Sequence, residues 1–182
     1  PEELTGMGTG VFKDCTSLKY IRLPDKLQQV ENRTFMGCSA LETVDLPAGL
    51  LKVGEDAFNG CSSLARIDLP GNVREIGAYA FAGTKITAAT LKTGIEIGDG
   101  AFAYCAKLNK VENLENAKVI GANAFNGTAL EEVILTNVTS IGDFAFADSK
   151  VGKVTFGDKL NKLGENPFAN CAIATFGKEV SV

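Results

Sequence analysis

The chain has 182 residues, a net charge of −4, five Cys, no His and no Trp. That length allows one domain or two small ones, and 45% hydrophobic with 22% charged residues is a globular rather than a disordered composition. The missing His excludes Ser-His-Asp and Cys-His catalysis and every His-containing metal site, and the acidic balance argues against a nucleic-acid ligand.

From the N-terminus, Pro-Glu-Glu-Leu offers no basic segment followed by an apolar one, so no signal peptide is read there. Pro1 is not a natural start residue, so a processed or trimmed chain is expected. No apolar run approaches the roughly 18–20 residues that span a bilayer.

The Phe residues then set a register. Phe12, Phe35, Phe58, Phe81, Phe102, Phe125, Phe146 and Phe168 follow one another at steps of 21–23 residues, leaving only Phe144, Phe156 and Phe176 outside. Five residues before each stands an aliphatic residue or Met, from Met7 and Val30 to Ile141 and Leu163. The next residue is Gly in every case except Glu31. Three residues after the Phe come Cys15, Cys38, Cys61, Thr84, Cys105, Thr128, Ser149 and Cys171. An alternating segment follows, clearest in Leu18-Lys-Tyr-Ile21-Arg-Leu23-Pro24, Leu41-Glu-Thr-Val44-Asp-Leu46-Pro47 and Leu64-Ala-Arg-Ile67-Asp-Leu69-Pro70. Steps shorter than 23 residues reflect a one-residue deletion after Thr or Ser, with small changes after the strand.

Each unit therefore predicts one strand of period two, ended by Pro because Pro lacks a ladder N–H. A helical or 3-10 turn is predicted to carry Ala-Phe inward. A unit of this size cannot bury its own aliphatic face, but stacked units can, like residue over like. The predicted architecture is a right-handed, curved solenoid of about eight turns of 21–23 residues, with parallel strands on its concave face. At the spacing of parallel strands it is roughly 35–40 Å long. The Phe column forms an internal spine, and the Gly after the aliphatic residue serves an unusual backbone angle or close packing between turns. Residues 1–182 form one repeat domain whose last unit is degenerate or capping. There Pro167 replaces Ala and only eight residues separate Phe168 from Phe176.

The stretch Val53-Gly-Glu-Asp-Ala-Phe-Asn-Gly-Cys-Ser-Ser-Leu-Ala-Arg-Ile-Asp-Leu-Pro70 resembles the BspA-like class of leucine-rich repeat, also called the Treponema pallidum type. The resemblance runs over residues 4–180. It departs at Lys92 and Gly157, where Pro would follow the strand, and at Glu112-Asn113-Leu114, which displaces the strand's last aliphatic residue. It implies a leucine-rich-repeat solenoid from a bacterial or protist protein, secreted or at the cell surface. It further implies adhesion to, or binding of, host, matrix or other cell-surface proteins. It carries over no catalytic residue, so the chain is read as a non-enzyme without cofactor or metal.

The five Cys share one phase of the repeat with Thr and Ser, which fits a column of small packed side chains. Neighbouring units also bring pairs such as Cys15–Cys38 or Cys38–Cys61 into disulfide range, with one Cys always left over. Gly8-Thr-Gly10 and Gly98-Asp-Gly100 lie in the repeat turn without a phosphate-loop Lys, and read as turns. The sequons at Asn32, Asn126 and Asn137 place Thr34 and Thr128 at inward positions, where structural roles suffice.

Function falls to the residues that flank the central aliphatic of each strand and point away from the core. One column runs Tyr20, Thr43, Arg66, Ala88, Lys110, Glu132, Lys153. The other runs Arg22, Asp45, Asp68, Thr90, Glu112, Ile134, Thr155. The ligand-binding candidates among them are Tyr20, Arg22, Thr43, Asp45, Arg66, Asp68, Lys110, Glu112, Glu132 and Lys153. A protein partner is expected on this extended face, with no nucleic acid and no membrane span. A spacer array within a larger surface protein and a polysaccharide-binding accessory module are the alternatives. Tyr79 and Phe144 sit in another phase, two residues before the spine Phe.

Overall fold

The computed structural model describes residues 3–173 and the backbone of 175–178. Its strands are short. They are β1 (Tyr20–Arg22), β2 (Gln29–Val30), β3 (Thr43–Asp45), β4 (Lys52–Val53), β5 (Glu75–Ile76), β6 (Ala88–Thr90) and β7 (Glu96–Ile97), followed by β8 (Lys110–Glu112), β9 (Val119–Ile120), β10 (Glu132–Leu135), β11 (Ser140–Ile141), β12 (Lys153–Phe156), β13 (Lys162–Leu163) and β14 (Thr175–Lys178). All pairings are parallel and join residues one turn apart, such as Ile21↔Val44 and Val133↔Val154. The molecule is a parallel-strand solenoid of about seven turns.

The turns are held along two strand columns of different continuity. Of the alternating segments named by the sequence, Leu64–Pro70 forms no strand; the others do, but in three separate sheets: β1-β3, β6-β8 and β10-β12-β14. The unbroken sheet is elsewhere. It comprises the dipeptides that end at the aliphatic residue before each Gly, in the order β13-β11-β9-β7-β5-β4-β2. Two residues are too few to display an alternation, which is why the sequence pattern does not mark this column.

The spine is present. Eight Phe rings stack at centroid separations of 5.2–5.4 Å with interplanar angles of 2–17°, carrying it about 37 Å over seven steps, as strand spacing predicts. The six inner rings are fully buried, and Phe12 and Phe168 at the two ends are half-buried. Each stacked pair adds about 0.5–1.5 kcal/mol to the gain from burial. Phe156, out of register, takes the slot of Leu135 one turn on and meets Phe168 edge-on at 6.1 Å.

The turn around each Phe is not helical. The residues two before and two after every spine Phe are left-handed, with φ between 46° and 74°. Gly fills only some of these places; the others include Arg33, Asp56, Tyr79, Tyr104, Asn123 and Phe144. The geometry has a hydrogen-bonding purpose. In the third turn the amides of Asp56, Phe58 and Gly60 donate to carbonyls of the next turn, Ala78, Ala80 and Ala82, at 2.7–3.0 Å. The alternate amides of Ala57, Asn59 and Cys61 donate back three residues within their own turn. With left-handed residues on both sides of the Phe, every second N–H points to the next turn and is satisfied there, as buried backbone requires. Among the described residues the single 3-10 helix, Leu114–Asn116, lies outside these turns.

The Gly column serves close packing. At Gly98 a Cβ would lie 2.7 Å from the Ala78 amide nitrogen, and Gly54, Gly77, Gly121, Gly142 and Gly164 meet the preceding turn equally closely. Gly8 has no such neighbour, and Glu31 is tolerated one turn later, at the edge strand β2. Beside this column Asn32, Asp99 and Asp143 each accept the amide of the residue 22–23 positions on, at 2.7–2.9 Å.

No disulfide joins the five Cys; Cys38, Cys61 and Cys105 are buried in the column, Cys171 is half-buried and Cys15 is exposed. The thiols of Cys38, Cys61, Cys105 and Cys171 donate to the Phe carbonyl of the preceding Phe turn at 2.9–3.1 Å. Thr128 and Ser149, in the same slot, bond their own turn's Phe instead. Burial raises the Cys61 thiol to about 12 and the Cys105 thiol to about 11. Thr34 and Thr128 are buried, and so is the sequon residue Asn126. The last unit is less degraded in backbone than its sequence implies: Thr175–Lys178 pairs with β12 in register, Val154↔Phe176. Residues 174 and 179–182 lie outside the described residues.

Candidate binding face

The alternation that buries Val44, Ala89, Val133 and Val154 turns their flanking residues outward. Tyr20, Arg22, Thr43, Asp45, Arg66, Asp68, Lys110, Glu112, Glu132 and Lys153 are all exposed, and registered pairing lines up those that lie in strands. Thr43 sits across from Tyr20, Lys110 from Ala88, and Lys153 from Glu132. Arg66 and Asp68 share this phase but belong to no strand.

The charges on this face largely neutralise one another. Arg22 pairs with Asp25 at 3.2 Å, Arg66 with Asp68 at 3.1 Å, Lys110 with Glu112 at 2.7 Å and Lys153 with Glu132 at 2.6 Å. The Tyr20 hydroxyl donates to Asp45 at 2.7 Å, and that bond holds the phenol above its usual range. Hydrogen bonds from Lys110 and Thr90 hold the Glu112 carboxyl below the usual carboxylate range. Exposed ion pairs of this kind are worth under about 1 kcal/mol each.

Two notches interrupt the face. One, of 310 Å³, lies between Arg66-Ile67-Asp68 and the strand Ala88–Thr90. The other, of 230 Å³, lies between β8 and β10 and is lined by Val111, Leu114, Glu115, Leu130, Glu132, Val133 and Ile134. Its origin is the displaced aliphatic residue at 112–114. Asn113 takes the left-handed conformation at φ 63°, which Asn tolerates. It donates its side-chain amide to the Leu91 carbonyl at 3.1 Å, and Leu114 drops into the core slot. The strand stops at Glu112, and β8 and β10 fall into different sheets. The departure is visible in the sequence; the cavity it leaves is not.

Away from this face three exposed aromatic residues occupy left-handed positions, Tyr79, Tyr104 and Phe144. The Tyr79 ring lies over Gly100 of the next turn, where a Cβ would be 2.3 Å from it. Among the described residues no group of three or more Cys, Asp or Glu is placed to hold a metal ion, and no helix is long and apolar enough to cross a membrane.

With this geometry in hand, comparison with known proteins is decisive on family. The model of the BspA type leucine rich repeat region matches residues 1–109 and 90–180, with six copies. The chain belongs to this family. Its solenoid is similar to the crystal structure of a leucine-rich repeat protein from Bacteroides ovatus, with a TM-score of 0.84 and 26% identity. That match covers 93% of this chain and 45% of the Bacteroides protein, so the chain spans under half of that relative's length. It shares its fold with the leucine-rich repeat protein of T. pallidum, at TM-score 0.55, 23% identity and coverage of 70% of this chain and 73% of that one. It also shares it with a leucine-rich cell surface protein from Faecalibacterium prausnitzii, at TM-score 0.56 and 19% identity, covering 94% and 62%. A search of curated proteins finds no match. The BspA-type repeat is a bacterial repeat module, and the departures at Lys92, Gly157 and 112–114 are local variations within it.

Proposed function

We propose that this BspA-type solenoid is a non-catalytic protein-binding module of a secreted or cell-surface protein, acting as one repeat domain over residues 1–182 and binding its partner on the outward strand face. The observation that carries the reading is the face itself: registered columns of exposed polar and charged side chains on a rigid stack, from Tyr20 to Lys153. The two notches are smaller than, or at the lower limit of, a small-molecule site, which favours a macromolecular partner. The cell-surface description of the Faecalibacterium protein supports the location.

The test is a panel of purified matrix and cell-surface proteins, presented to the chain and to a variant carrying Arg22→Glu, Arg66→Glu, Lys110→Glu and Lys153→Glu. A ligand that binds the chain and loses at least ten-fold in affinity for the variant supports the face. Ligands that bind both equally place the site elsewhere. The ion pairs that neutralise the columns favour a spacer array as the second reading, and an empty panel puts it ahead. A polysaccharide ligand has less support, because Tyr20 is the one aromatic residue in the columns.

A further inference from the structure

We propose that the notch between β8 and β10 is an anchor pocket for one aliphatic side chain of a partner segment in which that residue is flanked by Lys or Arg. The proposal rests on the strand-face reading and gives it a partner chemistry.

Three observations converge on this place. The first is size and lining. At 230 Å³ the notch is too small for a drug-sized ligand and has room for a single side chain. Its floor is aliphatic, formed by Leu114, Leu130 and Val133. The second is Ile134, which walls the notch and is 42% exposed. It is the one large aliphatic side chain in the two outward columns; the other turns place Arg22, Asp45, Asp68, Thr90, Glu112, Thr155 and Gly177 at its position. Covering it against a second aliphatic group removes apolar surface from water on both sides, and a buried anchor in a pocket is where interface energy concentrates.

The third observation is charge. Elsewhere on the face Arg22–Asp25 and Arg66–Asp68 are ion pairs, and Asp45 is held by the Tyr20 hydroxyl. The notch is lined by Glu115 and Glu132, with Glu112 and Glu131 next to lining residues in sequence; Lys110 pairs with Glu112 and Lys153 with Glu132. Glu115 and Glu131 form no ion pair among the described residues. Glu115 lines the notch, and the exposed Glu131 precedes the lining residue Glu132 in sequence. A cation on either side of the inserted side chain meets this surplus, whereas an acidic segment is repelled.

The experiment is selection of a displayed library of random seven-residue peptides on the intact chain, repeated on Ile134→Asp, Ile134→Val, Glu115→Lys and the pair Arg22→Glu with Arg66→Glu. The expected winners carry Leu, Ile, Val or Met between basic residues. Their binding, measured by fluorescence anisotropy on synthesised peptides, falls at least ten-fold with Ile134→Asp and is kept by Ile134→Val. Glu115→Lys removes the preference for basic flanks. The side chain of Ile134 is exposed, so an unchanged thermal midpoint in Ile134→Asp separates lost binding from lost fold. The notch is overturned if no peptide is enriched, if the winners lack the apolar-basic pattern, or if Ile134→Asp binds them unchanged. In that last case, sensitivity to Arg22→Glu with Arg66→Glu leaves the strand face standing without the notch. Insensitivity to both removes the face as well.

Discussion

The two strand columns are built by one repeat, yet one is unbroken and the other is in three pieces. In the unbroken column every strand after the edge strand β2, which Glu31 follows, is two residues and then a Gly whose backbone rests on the turn before. From Gly54 onward there is no slack for an inserted residue or a side chain. In the broken column the core asks for buried apolar side chains, such as Ala89 with Leu91 and Val133 with Leu135, and not for a Gly packed on the backbone of the preceding turn. A displaced residue at 112–114 or an unpaired stretch at 66–68 costs ladder bonds but leaves the spine intact. Variation accumulates where the backbone is loosely held, and that is the surface on which a binding site can differ from one array to the next.

The largest effect should come from breaking the tight column. Gly98→Ala places a methyl 2.7 Å from backbone that cannot move aside, and a loss of about 3 kcal/mol is expected from urea unfolding. Gly8→Ala, whose methyl meets the Val11 side chain at an ordinary 3.9 Å, should change stability by less than about 0.5 kcal/mol. Alkali tests the thiol column next. Cys61 and Cys105 keep their protons to about 12 and 11 in the fold, against 9.0 unexposed to it. Above pH 9 the unfolded chain therefore holds fewer protons, and stability falls as pH rises toward the folded values. About 1 kcal/mol per thiol should be gone by pH 10, and Cys61→Ala should flatten the dependence of the urea midpoint.

Smaller effects separate the two uses of Gly. Gly83 is left-handed with no atom within 4 Å of its missing Cβ, so Gly83→Ala costs backbone strain alone, about 1 kcal/mol. Asp99→Ala, which removes the acceptor for the Ala122 amide at 2.8 Å, should also cost about 1 kcal/mol. Thr90→Val on the broken face gives up one exposed bond to Glu112, and calorimetry should find a change below about 0.5 kcal/mol. If Thr90→Val proves as costly as Gly98→Ala, the distinction between the columns fails.

Much of this was legible because the repeat multiplies its own signal. The eight Phe, the small slot at Cys15 to Cys171 and the outward columns are single-residue periodicities, and stacking puts like over like. The closely spaced Gly were legible as a column but not as to cause. The clash they avoid is with the backbone of another turn, which no local pattern records. The left-handed pairs flanking each Phe were missed because Arg33, Tyr79, Tyr104 and Phe144 dilute them. Asp14, Asp56, Asn123, Asp148, Asn166 and Asn170 in the same two phases were the readable hint. The notch needs the three-dimensional gap between two strands, and the sequence showed only the slipped Leu114.

The Phe spine has a consequence for how such a chain is made. Each ring finds its neighbour 21–23 residues earlier, never far ahead. A chain emerging N-terminus first, from a ribosome or through a narrow export channel, can lay each new turn on the finished ones without waiting for distant sequence. The first turn must stand with one face bare until the second arrives, and every later turn meets a surface already built to receive it.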